Sequence, residues 1–239
     1  LRDGHVYVSA PFDLARYWDW YLDYPPNFNY NIIERNYLGR NSVLVDGGLE
    51  SRVIDNIGYI YYSSFSYFDE AGMDYLIKKY RGCDGIILDI RNNNGGITTY
   101  GKNMLSYFTG RRTKVGYWKE KTGDGHDDFS DYQPLWVEPN RINFTGPVVV
   151  LTNRSSYSTA NTFPAQISCF PNVTVIGDKT GGGGGVYEDF ELPNGWEVGI
   201  TVMPSFTLDK KSMEPGFEPD IYCQLNRVDE YNGIDTIIE

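Results

Sequence analysis

"DGIILDIRNNNGG", residues 84–96, decides how the chain is organised. Its first half is a short, nearly unbroken apolar run, as expected of a strand buried on both faces of a parallel sheet. Its second half turns into asparagines and ends in Gly95 and Gly96. A strand that ends this way brings backbone N–H groups to the carboxyl edge of the sheet, and the missing Cβ atoms let them approach an anionic centre.

Reading outward, "FDEAGMDYLIKKYRG" (68–82) upstream predicts a helix. Asp69 and Glu70 suit its positive end, Met73, Leu76, Ile77 and Tyr80 share a face, and Gly82 stops it. Before it, "IGYIYYSSF" (57–65) is rich in strand formers. Downstream, "TTYGKNMLSYF" (98–108) predicts a helix facing inward through Met104, Leu105 and Phe108. After the polar stretch "KTGDGHDDFSDYQ" (121–133) comes a second buried strand, "GPVVVLTN" (146–153), then a turn and helix, "SSYSTANTFPAQIS" (155–168), and a strand, "VTVIG" (173–177). Strands alternating with helices define a βαβ series with right-handed crossovers, and so an α/β fold. The stretch "YEDFELPNGWEVGITVMPSF" (187–206) alternates about a PNG turn and adds an antiparallel hairpin. Pro164 falls inside the helix after the serines, so that helix is expected to start late or to kink.

Residues 1–56 are aromatic-rich and irregular, with a Pro-Pro in "WDWYLDYPPNFNYN" (18–31) that stops any helix. They are expected to form a partial cover segment of a truncated or irregular domain, with the α/β core domain over 57–239. The chain starts at Leu1 rather than Met, which suggests that a targeting segment or an upstream domain precedes it.

Composition narrows the function. A net charge of −11 argues against a nucleic-acid or anionic-membrane surface, either of which needs a basic face. No stretch reaches the roughly 18 apolar residues needed to span a bilayer. Cys83, Cys169 and Cys223 are odd in number and lack metal-knuckle spacing, so they read as small buried hydrophobes; no metal or cofactor is implied. Aromatics make up 15% of the chain, a share compatible with strands and with peptide or carbohydrate contacts alike.

Two strand ends carry chemistry. One is the loop holding Gly95 and Gly96. The other holds Ser155, Ser156 and Ser158 just before a helix, where a hydroxyl has the positive helix end behind it and developing negative charge is favoured. The same serines would also serve as plain helix caps. A third feature, "DKTGGGGGVY" (178–187), is no P-loop: it lacks the GK[ST] ending and runs into a strand, not a helix.

Together these loops resemble the family of C-terminal processing peptidases and the tricorn protease. "LDIRNNNGG" matches the family's D-[LIV]-R-x-N-x-G-G, "SSYSTANTF" its serine turn, "GDKTGGGGG" its G-[ED]-x-T-x-G-x-G, and "MEPGFEPDIY" (213–222) its E-x-x-G-[VI]-x-P-D-[IV], one residue shorter. The matches lie in order over residues 57–223. The resemblance implies a ClpP/crotonase-like sheet core, Ser158 as nucleophile, and an oxyanion hole from the backbone N–H groups of Gly95 or Gly96 and of Thr159. The Lys-type branch places its general base where this chain has Gly183, and Lys179 lies on the wrong side of the loop. An alternative base is therefore required. His126 sits in a solvated polar loop, whereas His5 lies in "LRDGHVYV" (1–8), similar to the family's L-x-D-G-H-[TV]; in the tricorn-like branch the equivalent histidine is the base. The late motif then offers Glu214 to orient His5, with Glu218 as fallback.

The expected activity is peptide-bond hydrolysis on peptide or unfolded-protein substrates. The alternative is an inactive relative that binds peptide, glycan or lipid in the same cleft. Residues 6–56 are too few and irregular for a PDZ domain. Family resemblance implies an exported, periplasmic or surface-anchored protein; oligomeric state is not legible.

Overall fold

The computed structural model describes residues 3–17, 20–45 and 48–239. Leu1 and Arg2, which open the LRDGH stretch, and Trp18 and Asp19 of the aromatic stretch lie outside the described residues. Among the described residues the strands are β1 (Tyr7–Ala10), β2 (Asp13–Arg16), β3 (Val43–Val45), β4 (Leu49–Ile54), β5 (Ile57–Tyr62), β6 (Gly85–Asp89), β7 (Thr113–Trp118), β8 (Gln133–Val137), β9 (Val148–Thr152), β10 (Val173–Gly177), β11 (Gly185–Glu191), β12 (Glu197–Phe206) and β13 (Ile221–Tyr222). The helices are a single turn α1 (Tyr30–Ile32), which widens into a π-type turn at Ile33–Leu38, followed by α2 (Glu70–Tyr80), α3 (Thr98–Ser106), α4 (Thr159–Ile167) and α5 (Arg227–Tyr231).

The larger sheet has the order β13-β10-β9-β6-β5-β4-β3. Strands β5, β6, β9, β10 and β13 pair in parallel, and β4 and β3 extend the sheet antiparallel. The α/β reading is thus borne out. The apolar run that opened the argument lies at the centre, with Ile86 opposite Val148 on one side and Gly58 on the other. Strand β5 shows why both faces need covering. Ile60 and Tyr62 pack with Met73, Leu76 and Ile77 of α2 and with Met104, Leu105 and Phe163, whereas Tyr59 and Tyr61 point the other way, onto Ile33, Tyr37 and Leu38. Each such large side chain removed from water contributes roughly 1.5–3 kcal/mol. Residues 28–38, read as cover, therefore supply the second layer of the sheet.

Residues 1–56 also supply strands to both sheets: β3 and β4 to the larger, β1 and β2 to the smaller. The smaller sheet runs β2-β1-β12-β7-β8, with β11 also paired to β12. Its β11–β12 hairpin turns at Pro193–Gly195, closed by the Leu192 N–H to the Trp196 carbonyl at 2.7 Å. This sheet is wholly antiparallel.

Three local expectations change. Helix α4 starts immediately after Ser158 and carries Pro164 within it, so it does not start late. Helix α3 gives way at Ser106 to a tighter turn, in which the Tyr107 and Phe108 N–H groups reach back only three residues, to the Met104 and Leu105 carbonyls. The three cysteines are free thiols and half-buried rather than fully buried.

Candidate active site

The loop after β6 is built around a buried charge. Arg91 has no exposed surface; its Nη2 lies 2.6 Å from Asp89 Oδ2 and its Nη1 3.0 Å from Asp235 Oδ2. The Tyr59 hydroxyl donates to the same Asp89 Oδ2 at 2.8 Å. The aspartate and arginine of the motif therefore act on loop shape. Asn93 carries that shape to the next strand end: its carbonyl accepts the Tyr157 N–H at 3.0 Å and its side-chain N–H donates to the Tyr62 carbonyl at 2.9 Å. Asn92 and Asn153 pair side chain to side chain at 2.9 Å, tying the carboxyl ends of β6 and β9 together.

The serines separate by environment. Ser156 is buried and donates to the Ile90 carbonyl at 2.9 Å, while its Oγ accepts the Asn153 N–H at 3.1 Å; it is structural. Ser158 stands at the N-cap of α4 with φ 57° and ψ −120°, left-handed territory that a side chain adopts at a cost of order 1–3 kcal/mol. That sharp turn aims Oγ away from the helix, as in a nucleophile elbow. The turn is held because the Ser158 N–H donates to the Gly182 carbonyl at 2.9 Å.

His5 reaches this serine from the other sheet. Its Nε2 lies 3.2 Å from Ser158 Oγ across 153 residues of sequence. The ring is buried between Tyr157, edge-on at 5.1 Å, and Tyr187, tilted at 5.0 Å. Burial pushes the imidazole pKa down from 6.5 to about 4; Asp3 works against that fall and Arg16 reinforces it. A neutral imidazole, the form able to accept a proton, therefore prevails at neutral pH.

Two carboxylates stand beside His5. A carboxylate oxygen of Glu214 and one of Asp3 lie within 4.8 Å of a His5 ring nitrogen and of each other. Glu214 Oε2 accepts the Gly184 N–H at 2.9 Å, and Asp3 Oδ1 accepts the His5 backbone N–H at 2.8 Å. Glu214 Oε1 and His5 Nδ1 are buried without a partner among the described residues, so glutamate and imidazole are adjacent but not hydrogen-bonded. Burial first, and the Asp3 charge second, raise the Glu214 carboxyl from 4.5 to about 8. Asp3 was not singled out from the sequence. An acid two residues before a histidine in a turn was the available signal.

The fallbacks fall elsewhere. Lys179 and Glu218 pair with each other at 2.8 Å. His126 is solvent-exposed, and its ring nitrogen meets its neighbour Asp127.

Of the expected oxyanion donors, the Gly95 N–H is taken by Asn93 Oδ1 at 2.9 Å. The Gly96 and Thr159 N–H groups have no hydrogen-bond acceptor among the described residues. Thr159 Oγ1 donates to the Gly96 carbonyl at 2.6 Å, which clamps the two segments together beside Ser158. Gly95 must be glycine there: a Cβ would lie 2.7 Å from Ser158 Cβ and 2.8 Å from Thr159 N, at a φ of 89°.

The glycine run threads between the serine turn and the Glu214 loop. The Gly183 N–H donates to the Glu214 carbonyl at 3.2 Å. A Cβ on Gly183 would lie 2.5 Å from the Tyr157 ring, so the volume that a lysine stem would need is filled by tyrosine. Thr180 and Asn161 join the motifs: Thr180 Oγ1 donates to Asn161 Oδ1 at 2.5 Å, and Asn161 Nδ2 donates to the Met213 carbonyl at 2.9 Å. Beside Ser158 opens a cleft of about 200 Å³ lined by Val115, Trp118, Leu135, Phe163, Val186 and Met203.

The carboxyl edge of the parallel-sheet core thus brings together a strained serine, a buried histidine in contact with it and two uncommitted backbone N–H groups. Residues 56–223 match Peptidase family S41, and the chain belongs to that family. It is 29% identical over 191 residues to the carboxy-terminal processing protease CtpA of Bacillus subtilis, which covers 78% of this chain and 39% of that one. The chain spans well under half the length of the curated relatives it matches. A solved structure of a provisionally assigned peptidase from Parabacteroides merdae superposes with a TM-score of 0.92 at 41% identity, over 99% of this chain and 76% of that one. The tricorn protease shares the fold at a TM-score of 0.53 and 19% identity, over 77% of this chain and 17% of its own. No helix among the described residues is long and apolar enough to cross a membrane.

Proposed function

We propose that the protein is a serine peptidase that cleaves peptide bonds with Ser158 as nucleophile, His5 as general base and Glu214 as the acid that orients it. The observation that carries this reading is the 3.2 Å contact between His5 Nε2 and Ser158 Oγ at a left-handed serine. Ser158 Oγ attacks the carbonyl carbon while His5 Nε2 takes its proton, and the oxyanion is received by the Gly96 and Thr159 N–H groups. His5 then gives the proton to the departing amine, and a water activated by His5 releases the acyl group from Ser158. For Glu214 to accept Nδ1–H, it must be ionised, and its Oε1 must close on His5 as substrate binds.

The apolar cleft beside Ser158 supports substrates with an apolar side chain next to the scissile bond. The resemblance to processing peptidases supports peptide or unfolded-protein substrates and an exported protein, which cell fractionation with an antibody would test. Unpartnered Glu214 Oε1 and His5 Nδ1 favour the alternative, a relative that binds peptide without cleaving it. A fluorophosphonate probe separates the two. The peptidase reading requires labelling of the full chain that disappears in Ser158→Ala and His5→Ala; an unlabelled, folded full chain would sink it.

A further inference from the structure

We propose that Asp3, His5 and Glu214 form a binding site for a divalent transition ion of the zinc class, and that filling it switches the peptidase off. The switch rests on the reading of His5 as base; the site itself does not. One carboxylate oxygen each from Asp3 and Glu214 and one ring nitrogen of His5 lie within 4.8 Å of one another. His5 Nε2 is committed to Ser158, so Nδ1 is the nitrogen left for an ion. His5 is only 3% exposed, and its Nδ1 and Glu214 Oε1 are buried without partners among the described residues. Glu214 is anchored through Oε2 on the Gly184 N–H and Asp3 through Oδ1 on the His5 N–H; Asp3 Oδ2 takes only a long 3.5 Å bond from Thr201 Oγ1, so Glu214 Oε1 and Asp3 Oδ2 are the oxygens left to turn toward an ion.

The donor set selects the metal. One imidazole nitrogen with two carboxylate oxygens suits Zn²⁺, whereas Mg²⁺ prefers oxygen and water in a strict octahedron. Zinc bonds of about 2.0–2.2 Å put tetrahedral ligands about 3.4 Å apart, so the side chains close by up to about 1.4 Å on binding. Arg16, whose charge is felt at His5, opposes the ion; the two carboxylates outnumber it once the ion displaces the Glu214 proton. Inhibition follows from the tautomer. An ion held by the Nδ1 lone pair leaves the single ring proton of neutral imidazole on Nε2. That nitrogen then donates to Ser158 Oγ and can no longer accept its proton. The imidazole proton is misplaced rather than lost, whereas the Glu214 carboxyl gives up its proton when it takes the ion.

The test is calorimetric titration of chelator-stripped, full-chain Ser158→Ala with zinc chloride, and with magnesium chloride as control. Expected is one zinc ion per chain and no magnesium, with affinity falling by roughly 10–100-fold or more in Asp3→Asn and His5→Gln versions whose circular dichroism is unchanged. Nitrogen-15 imidazole shifts should move His5 to the Nε2–H tautomer on zinc addition. Absence of zinc binding, or binding that survives both substitutions, overturns the site. In the Ser158-containing protein, zinc should suppress fluorophosphonate labelling and chelator should restore it. If the metal-free protein is labelled and saturating zinc leaves labelling unchanged, the switch is wrong while the peptidase stands. If zinc binds at His5 but the metal-free protein is never labelled, the peptidase reading fails and the site stands alone.

Discussion

At the scale of single residues, the buried imidazole sets the pH at which the protein should work. His5 accepts a proton only when neutral, and burial brings its pKa to about 4. In chelator-treated buffer, His5 by itself would set the acid limb of kcat/KM well below the 6.5 of an ordinary histidine, and an orienting role that needs ionised Glu214 adds a separate fall in activity below about pH 8. A limb at 6–7 would show that the ring is wetter than this packing allows. Ser158→Ala should abolish turnover of a chromogenic peptide ester, and His5→Ala should lower kcat by roughly 10²–10⁴-fold. The serine turn was legible in "SSYSTANTF", because strand, serine and helix follow one another in the chain. The parts played by Asp3 and Tyr157 were not: both lie inside the matched stretches, yet each matters only because the chain brings His5 onto the serine turn.

At the scale of elements, the glycine segment that leads into β11 is a spacer. It passes between two loops that already touch, so its residues are fixed by contact distance. Restoring the Lys-type base by Gly183→Lys in a His5→Ala background should give no activity, since the new Cβ would meet the Tyr157 ring at 2.5 Å and sit at φ 75°. Recovery of probe labelling in that double variant would show that the tyrosine yields. The start of α4 has a comparable role. Thr159→Val removes the bond to the Gly96 carbonyl and loosens the two donor N–H groups, so kcat should fall with KM little changed, toward the ~3 kcal/mol expected for loss of one donor. The parallel core strands were legible because both their faces are apolar. Strands β7, β8, β1 and β2 were not, because they are short and mixed in polarity, and the sheet they form is assembled on β12, far away in sequence, which pairs with β1 and β7.

At the scale of the whole molecule, the carboxyl beside His5 ties stability to pH. Glu214 ionises near 4.5 when unfolded and near 8 when folded, so folding favours its protonated form. The stability this contributes is complete below about pH 4.5 and drains away as pH rises through 8. Glu214→Gln, which keeps the shape without the charge, should therefore melt progressively higher than the parent protein from pH 5 to 9; a difference independent of pH would contradict the burial of this acid. Arg91→Ala should destabilise far more at every pH, by about 3–5 kcal/mol, because it strands Asp89 and Asp235 without their cation. Urea unfolding would measure it.

The 153 residues between His5 and Ser158 have a biosynthetic meaning. A ribosome makes the proposed base first, the proposed nucleophile much later and the proposed acid last, and strand β1, which follows His5, cannot find its partner until β12 has emerged. On the proposed triad, a nascent chain therefore lacks part of its site until the residues beyond the β11–β12 hairpin have emerged.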